Sequence, residues 1–252
     1  MIKRKNGFTL AEVLITLSII GVVAVLTIPG LVQKYEERVR VTQLKKVYTQ
    51  LNQAFQMAVI EHGPVKTWGL TTTHVGYDEE GNSVLDASGQ VLFCNYLGKY
   101  LKKSSVNTIN YDNKLSLDGR IYSRASSVTI NQDEPISMIL ADGTCIALGW
   151  IWSDCARDGV NACGDIAVTL PSKTSILGKT FFYFRITPYG IIPEATINNT
   201  AFTFPEYCDV HNKNGATSTE QGRGCTAWVI EKGNMDYLHC DDLSWDGKNK
   251  CD

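Results

Sequence analysis

The sequence predicts an α+β fold: a long N-terminal α-helix, membrane-spanning in its first half, packed on a small antiparallel β-sheet with a loop-rich, disulfide-rich C-terminal region. Three observations carry that reading. An uncharged apolar run from Val13 to Gln33 passes directly into a helical apolar stripe that stops at His62-Gly63-Pro64. An Asp142-Gly143 pair joins two apolar runs, and a third run follows at Thr180–Ile186. All eight cysteines lie after the apolar helix. With 44% hydrophobic and 20% charged residues, the chain of 252 residues is too apolar for a disordered one. A net charge of −2 argues against phosphate-driven nucleic-acid binding, so no nucleic-acid partner is expected.

Residues 1–7 read as a leader, with Lys3, Arg4 and Lys5 ahead of any acid. Basic residues in front of an apolar span stay cytoplasmic, which places everything after the span outside. Residues 8–33 form that span and are long enough to cross a bilayer as a helix. An ordinary signal peptide has a shorter apolar core with small residues behind it, whereas here the small residue Gly7 stands in front. A plain anchor accounts for the length but not for Glu12. A carboxylate in hydrocarbon is costly and marks a partner or a function. A cut between Gly7 and Phe8 creates an α-amine four residues ahead of Glu12, within one helical turn, and in an assembly the two groups can also pair between neighbours. Pro29 removes a backbone donor, which predicts a kink or a melted turn near residues 25–29.

Residues 34–63 continue the helix as an amphipathic extension. Val41, Leu44, Tyr48, Leu51, Phe55 and Ala58 recur at steps of three and four, which makes one apolar stripe, read as the face that packs on the chain's own head. Residues 64–252 form that head. Residues 64–89 read as an irregular linker, Gln90–Lys103 as a second amphipathic helix, and 104–135 as loops with short strands. The Asp-Gly pair predicts a hairpin over Ile136–Trp150, and Ile191-Ile192-Pro193 follows the strand at Thr180–Ile186.

The string Asn6-Gly7-Phe8-Thr-Leu-Ala-Glu12 behind a short basic leader resembles the type IV pilin-like family, which includes pilins and type II secretion pseudopilins. The resemblance implies cleavage after Gly7 by a membrane prepilin peptidase that also methylates Phe8. It implies assembly with other pilin-like subunits through the N-terminal helix, with Glu12 and Pro29 as assembly residues. It places the chain in a bacterial inner membrane as a single-pass protein with an exported C-terminal domain, and then in a pilus or pseudopilus fibre. Losing the leader takes the formal charge from −2 to −5, because Lys3, Arg4 and Lys5 leave with it. The stretch Gly178–Pro193 resembles the last hairpin of many pseudopilin-like proteins, but the Asp-x-Asn-Gly that often precedes it is absent. Two roles stay open: a structural subunit, or a minor tip-located protein whose head binds a surface or an exported substrate.

Cys94, Cys145, Cys155, Cys163, Cys208, Cys225, Cys240 and Cys251 are all disulfide candidates in an exported domain. Short loops favour Cys155–Cys163, and after it Cys208–Cys225 and Cys240–Cys251. A zinc site from Cys208, His211, His239 and Cys240 is the rival for those sulfurs. Asp154, Asp158, Asn161 and Asp165 offer oxygens in one loop, which raises calcium as a ligand, although the spacing fits no EF-hand. No other cofactor is expected. Nor is enzymatic activity: Gly178-Lys179-Thr180 lacks the earlier glycine of a phosphate loop, and no nucleophile elbow or zinc-protease helix is present.

Overall fold

A computed structural model describes residues 9–71, 73–77, 83–86, 88–107, 128–130, 137–157, 159–172, 176–196, 202–209 and 221–251. The chain divides into two compact units at Val39/Arg40.

The first unit is helical from Leu10, the start of α1 (Leu10–His62). Its apolar side chains are exposed all round, from Leu10 through Ile15, Ile20 and Leu26 to Val32, and the helix is long and apolar enough to cross a membrane. Helical structure continues through Pro29, so the melted turn expected at 25–29 does not form. Thr27 instead back-bonds to the Val23 carbonyl at 2.9 Å.

The second unit is built on the remainder of α1. Leu44, Leu51, Phe55 and Ala58 of the predicted stripe are fully buried; Tyr48 is half-buried, and Val47, which the spacing did not mark, is fully buried beside it in sequence. Gly63 ends the helix with φ of +79°, donating its N–H to Val59 O, and Trp68 Nε1 donates back to Gly63 O at 2.8 Å. The linker region holds a hairpin rather than irregular chain: β1 (Thr73–Tyr77) pairs antiparallel with β2 (Ser83–Asp86), and β2 pairs parallel with β4 (Val128–Ile130). Its strands are short and carry few apolar residues, so periodicity could not announce them. The second helix, α2 (Ser88–Gly98), is shorter than expected, and Lys103 already opens β3 (Lys103–Asn107). The α1 terminus is tied to the end of α2, where Glu61 accepts from Lys99 Nζ at 2.5 and 2.7 Å and from Tyr100 OH.

The main sheet has the order β3-β5-β6-β7-β8-β9, with every described neighbour pair antiparallel. β5 (Ser137–Leu140) and β6 (Cys145–Ile151) form the expected hairpin. Gly143 takes a left-handed φ of +84° there, and Asp142 Oδ1 accepts the Thr144 N–H. β7 (Gly164–Thr169), β8 (Phe181–Thr187) and β9 (Gly190–Pro193) follow. β8 is buried at all seven positions, so alternate residues serve two different layers. Leu148, Ile166, Val168, Phe182 and Phe184 join the core with α1 and α2, and Tyr48 stacks on Phe184 at 5.6 Å. Ala147, Ala167, Phe181 and Tyr183 form a second cluster on the opposite face. α3 (Phe204–Tyr207) and α4 (Thr226–Lys232) complete the head, with Trp228 fully buried between Phe204 and Trp245.

Candidate functional site

The N-terminal site begins at Thr9. Its side chain and backbone close a reciprocal cap with Glu12: Thr9 N–H and Thr9 Oγ1–H each donate to Glu12 Oε2 at 2.8 Å, and Glu12 N–H donates to Thr9 Oγ1 at 3.3 Å. This is the Ser/Thr-x-x-Glu capping box, legible in the sequence as Thr9-Leu-Ala-Glu12 but overshadowed there by the question of a partner amine. The box fixes the start of α1 and gives the carboxylate local donors inside an otherwise apolar segment. Lys3, Arg4, Lys5, Gly7 and Phe8 lie outside the described residues.

The cysteines sort into three bridges and two thiols. Cys155–Cys163, Cys208–Cys225 and Cys240–Cys251 are disulfides, the three pairings that short loops favour. The zinc alternative loses both thiolates to these bridges, since Cys208 and Cys240 are oxidised. Cys94 and Cys145 are free thiols, which corrects their candidacy. Cys94 packs with Ile146 and Leu148 in the helix-side core. Cys145, one residue from Ile146 along the strand, shares the opposite face with Ala147. Burial pushes the Cys94 thiol up to about 12 and the Cys145 thiol up to about 11.

Of the calcium candidates, Asp165 is engaged elsewhere. Asp165 is 4% exposed, and both its oxygens are taken: Oδ1 by Arg185 and Oδ2 by Arg223 at 3.0 Å. Asp154 stays on the exposed loop, where it accepts from Ala156 N–H. Asn161 stands in a turn with φ of +55°, and Asp158 lies outside the described residues. A carboxylate that faces two guanidiniums has no charge left to offer a cation, so Asp165 leaves the set. Among the described residues no three His, Cys, Asp or Glu side chains come together as a metal site.

Asp165 belongs instead to a buried four-charge cluster that sequence reasoning missed. Arg185 is 1% exposed and its Nε lies 2.8 Å from Glu194 Oε2, while Arg223 lies 3.6 Å from the same oxygen. Arg223 is sandwiched between Tyr183 and Phe202, each ring 4.1 Å away. Two acids and two bases balance, which makes burial tolerable. Gly149 provides the room, since a Cβ there would sit 3.1 Å from Asp165 Cβ. The only sequence signal was Arg185 inside the apolar run TFFYFRI, where a charge at a buried strand position requires a partner.

One family model matches residues 30–234. The chain belongs to DUF6613, a family of unknown function. The DUF6613 match takes in every strand of the head and stops at Asn234. A second model, the prokaryotic N-terminal methylation motif, matches residues 2–28, so the N-terminus is of the type IV pilin-like kind. No curated protein and no solved structure matches the chain.

Proposed function

We propose that this DUF6613 chain is a structural subunit of a type IV pilus or a type II secretion pseudopilus. Prepilin peptidase cuts it after Gly7 and methylates Phe8. The cut chain then enters a fibre through α1, with Glu12 neutralising the α-amine of a neighbouring subunit. The carrying observation is the joint presence of the methylation motif over residues 2–28 and a helix whose apolar side chains from Leu10 to Val32 are exposed. The subunit sits in the inner membrane before assembly, with the disulfide-stapled head outside. The head performs no catalysis in this reading and serves packing and recognition.

The three disulfides and the size of the head favour a second reading, a minor subunit at the fibre tip that binds a surface or an exported substrate. Abundance separates the two, because a main subunit dominates sheared fibres and a tip protein is scarce in them.

The decisive experiment is N-terminal and intact mass spectrometry of the protein from its own membranes. A mature chain beginning at methylated Phe8 is expected. An intact leader ending in Asn6-Gly7 would overturn the assignment and leave an anchored protein.

A further inference from the structure

Residues 239–251 lie wholly beyond the DUF6613 match, which ends at Asn234. They form a loop closed by the Cys240–Cys251 disulfide across 11 positions. This bridge differs from the other two in burial: Cys155, Cys163, Cys208 and Cys225 are buried, whereas Cys240 and Cys251 are half-buried. The loop is largely self-contained, with Ser244 N–H donating to Lys248 O at 3.0 Å and Lys248 paired to Asp242 at 3.0 Å.

It docks on the head through apolar and hydrogen-bonded contacts. Leu243 is buried, and the Trp245 ring lies 5.6 Å from Phe204 and 5.3 Å from Trp228. Lys232 Nζ donates to Trp245 O at 3.3 Å, Asn234 Nδ2 to Asn249 O at 3.0 Å, and the Cys251 N–H to Asp236 Oδ2 at 2.8 Å. The surface beneath also has contacts of its own. Phe204 and Trp228 stack at 4.2 Å, Trp228 Nε1 donates to Asn234 Oδ1 at 2.9 Å, and Tyr237 OH donates to Gly178 O at 2.6 Å.

We propose that residues 239–251 are a lid over the Phe204–Trp228 aromatic face, latched by the Cys240–Cys251 disulfide and opened by a dithiol while the rest of the head stays folded. In the opening step a dithiol thiolate attacks one sulfur of the bridge, the S–S bond breaks, and a mixed disulfide forms. The second thiol of the reductant displaces the protein sulfur. Cys240 and Cys251 leave as thiols carrying two electrons and two protons, and the dithiol becomes a cyclic disulfide. Reducing the bridge returns conformational freedom to the loop, which its docking contacts must then offset without the cross-link. The opened face is a flat aromatic pair with the Lys232 ammonium 5.7 Å from the Trp228 ring. In an oxidising exterior the lid stays shut.

The test uses full-length protein in detergent under graded dithiothreitol, followed by alkylation mapping and hydrogen exchange. Cys240 and Cys251 should label before the four buried half-cystines, and peptides spanning 241–250 should lose protection while β8 keeps it. The Cys240→Ser/Cys251→Ser double variant should show the same exchange pattern without reductant. Unchanged protection of the loop after its bridge is reduced would overturn the lid, as would loss of protection spreading to β8 or simultaneous labelling of Cys208 and Cys225. If the double variant does not fold, mild reduction of the wild-type protein decides between these outcomes.

Discussion

Asn52 on α1 pairs with the backbone of Ile191 on the sheet's last strand in both directions: Oδ1 accepts the Ile191 N–H at 3.0 Å and Nδ2 donates to the Ile191 O at 2.9 Å. A side-chain amide thus stands where a further strand would pair. Two positions on, Pro193 has no N–H to offer. The β9 edge is closed by the same helix that supplies the core. Asn52→Ala should destabilise the head by roughly 1–3 kcal/mol, because it leaves a strand N–H and C=O without their partner. Asn52→Asp retains the acceptor and should cost less. Urea unfolding of the full chain in detergent measures both.

The buried cluster predicts a sharp asymmetry between breaking and replacing. Asp165→Ala takes one of the two carboxylates away from Arg185 and Arg223 and should cost about 3–5 kcal/mol. Gly149→Ala should also destabilise, since its methyl meets Asp165 Cβ at 3.1 Å on a rigid strand. Equal unfolding midpoints for Asp165→Ala and wild type would show that the cluster contributes nothing.

The two thiols give a pH prediction. A thiol whose pKa is raised in the folded state holds its proton after the unfolded chain has lost its own. Its contribution is therefore complete below the unfolded value and disappears as pH rises. For Cys94 the window runs from the ordinary thiol value near 9 up to about 12, and for Cys145 up to about 11. Stability should fall through that range with a slope approaching about 1.4 kcal/mol per pH unit for each thiol. Cys94→Ala should flatten its share of the slope. Under native conditions near neutrality neither thiol should react with iodoacetamide, and after denaturation without reduction two alkylations should appear.

Processing and assembly separate at two residues. Gly7→Val should leave the leader attached, because the peptidase requires a small residue at the cut. Glu12→Ala should be inserted and cut normally but fail to enter fibres. Mass spectrometry reads the first, and recovery in sheared fibres reads the second. Normal incorporation of Glu12→Ala would exclude charge pairing as the assembly contact.

The long helix was legible because thirty-odd residues of strong periodicity or unbroken apolarity outweigh local noise, and five of the six stripe residues from Val41 to Ala58 are buried, Tyr48 being half-buried and Val47 and Ala54 unannounced. The Asp142-Gly143 hairpin was legible because turn chemistry is local. β7 was not: Gly164-Asp-Ile-Ala-Val-Thr is buried on both faces, so it shows no alternation, and Asp165 read as a loop ligand. That residue's role depends on Arg223, which lies 58 positions away, a distance over which no spacing rule operates. Cys94 and Cys145 failed for a related reason, since an even cysteine count says nothing about which sulfurs the fold brings together.

The uncovered apolar surface between Leu10 and Val32 bears on the direction in which assembly runs. Lipid tails are about as apolar as leucine, so a subunit passing from bilayer to fibre exchanges one oil for another, with little net hydrophobic gain. In the proposed fibre, preference for assembly would then rest on the fit of side chains against neighbours and on ionic matching at Glu12. Subunits still in the membrane would serve as a reservoir, and the greasiness of the helix alone would not set whether such a fibre grows or dissolves back into it.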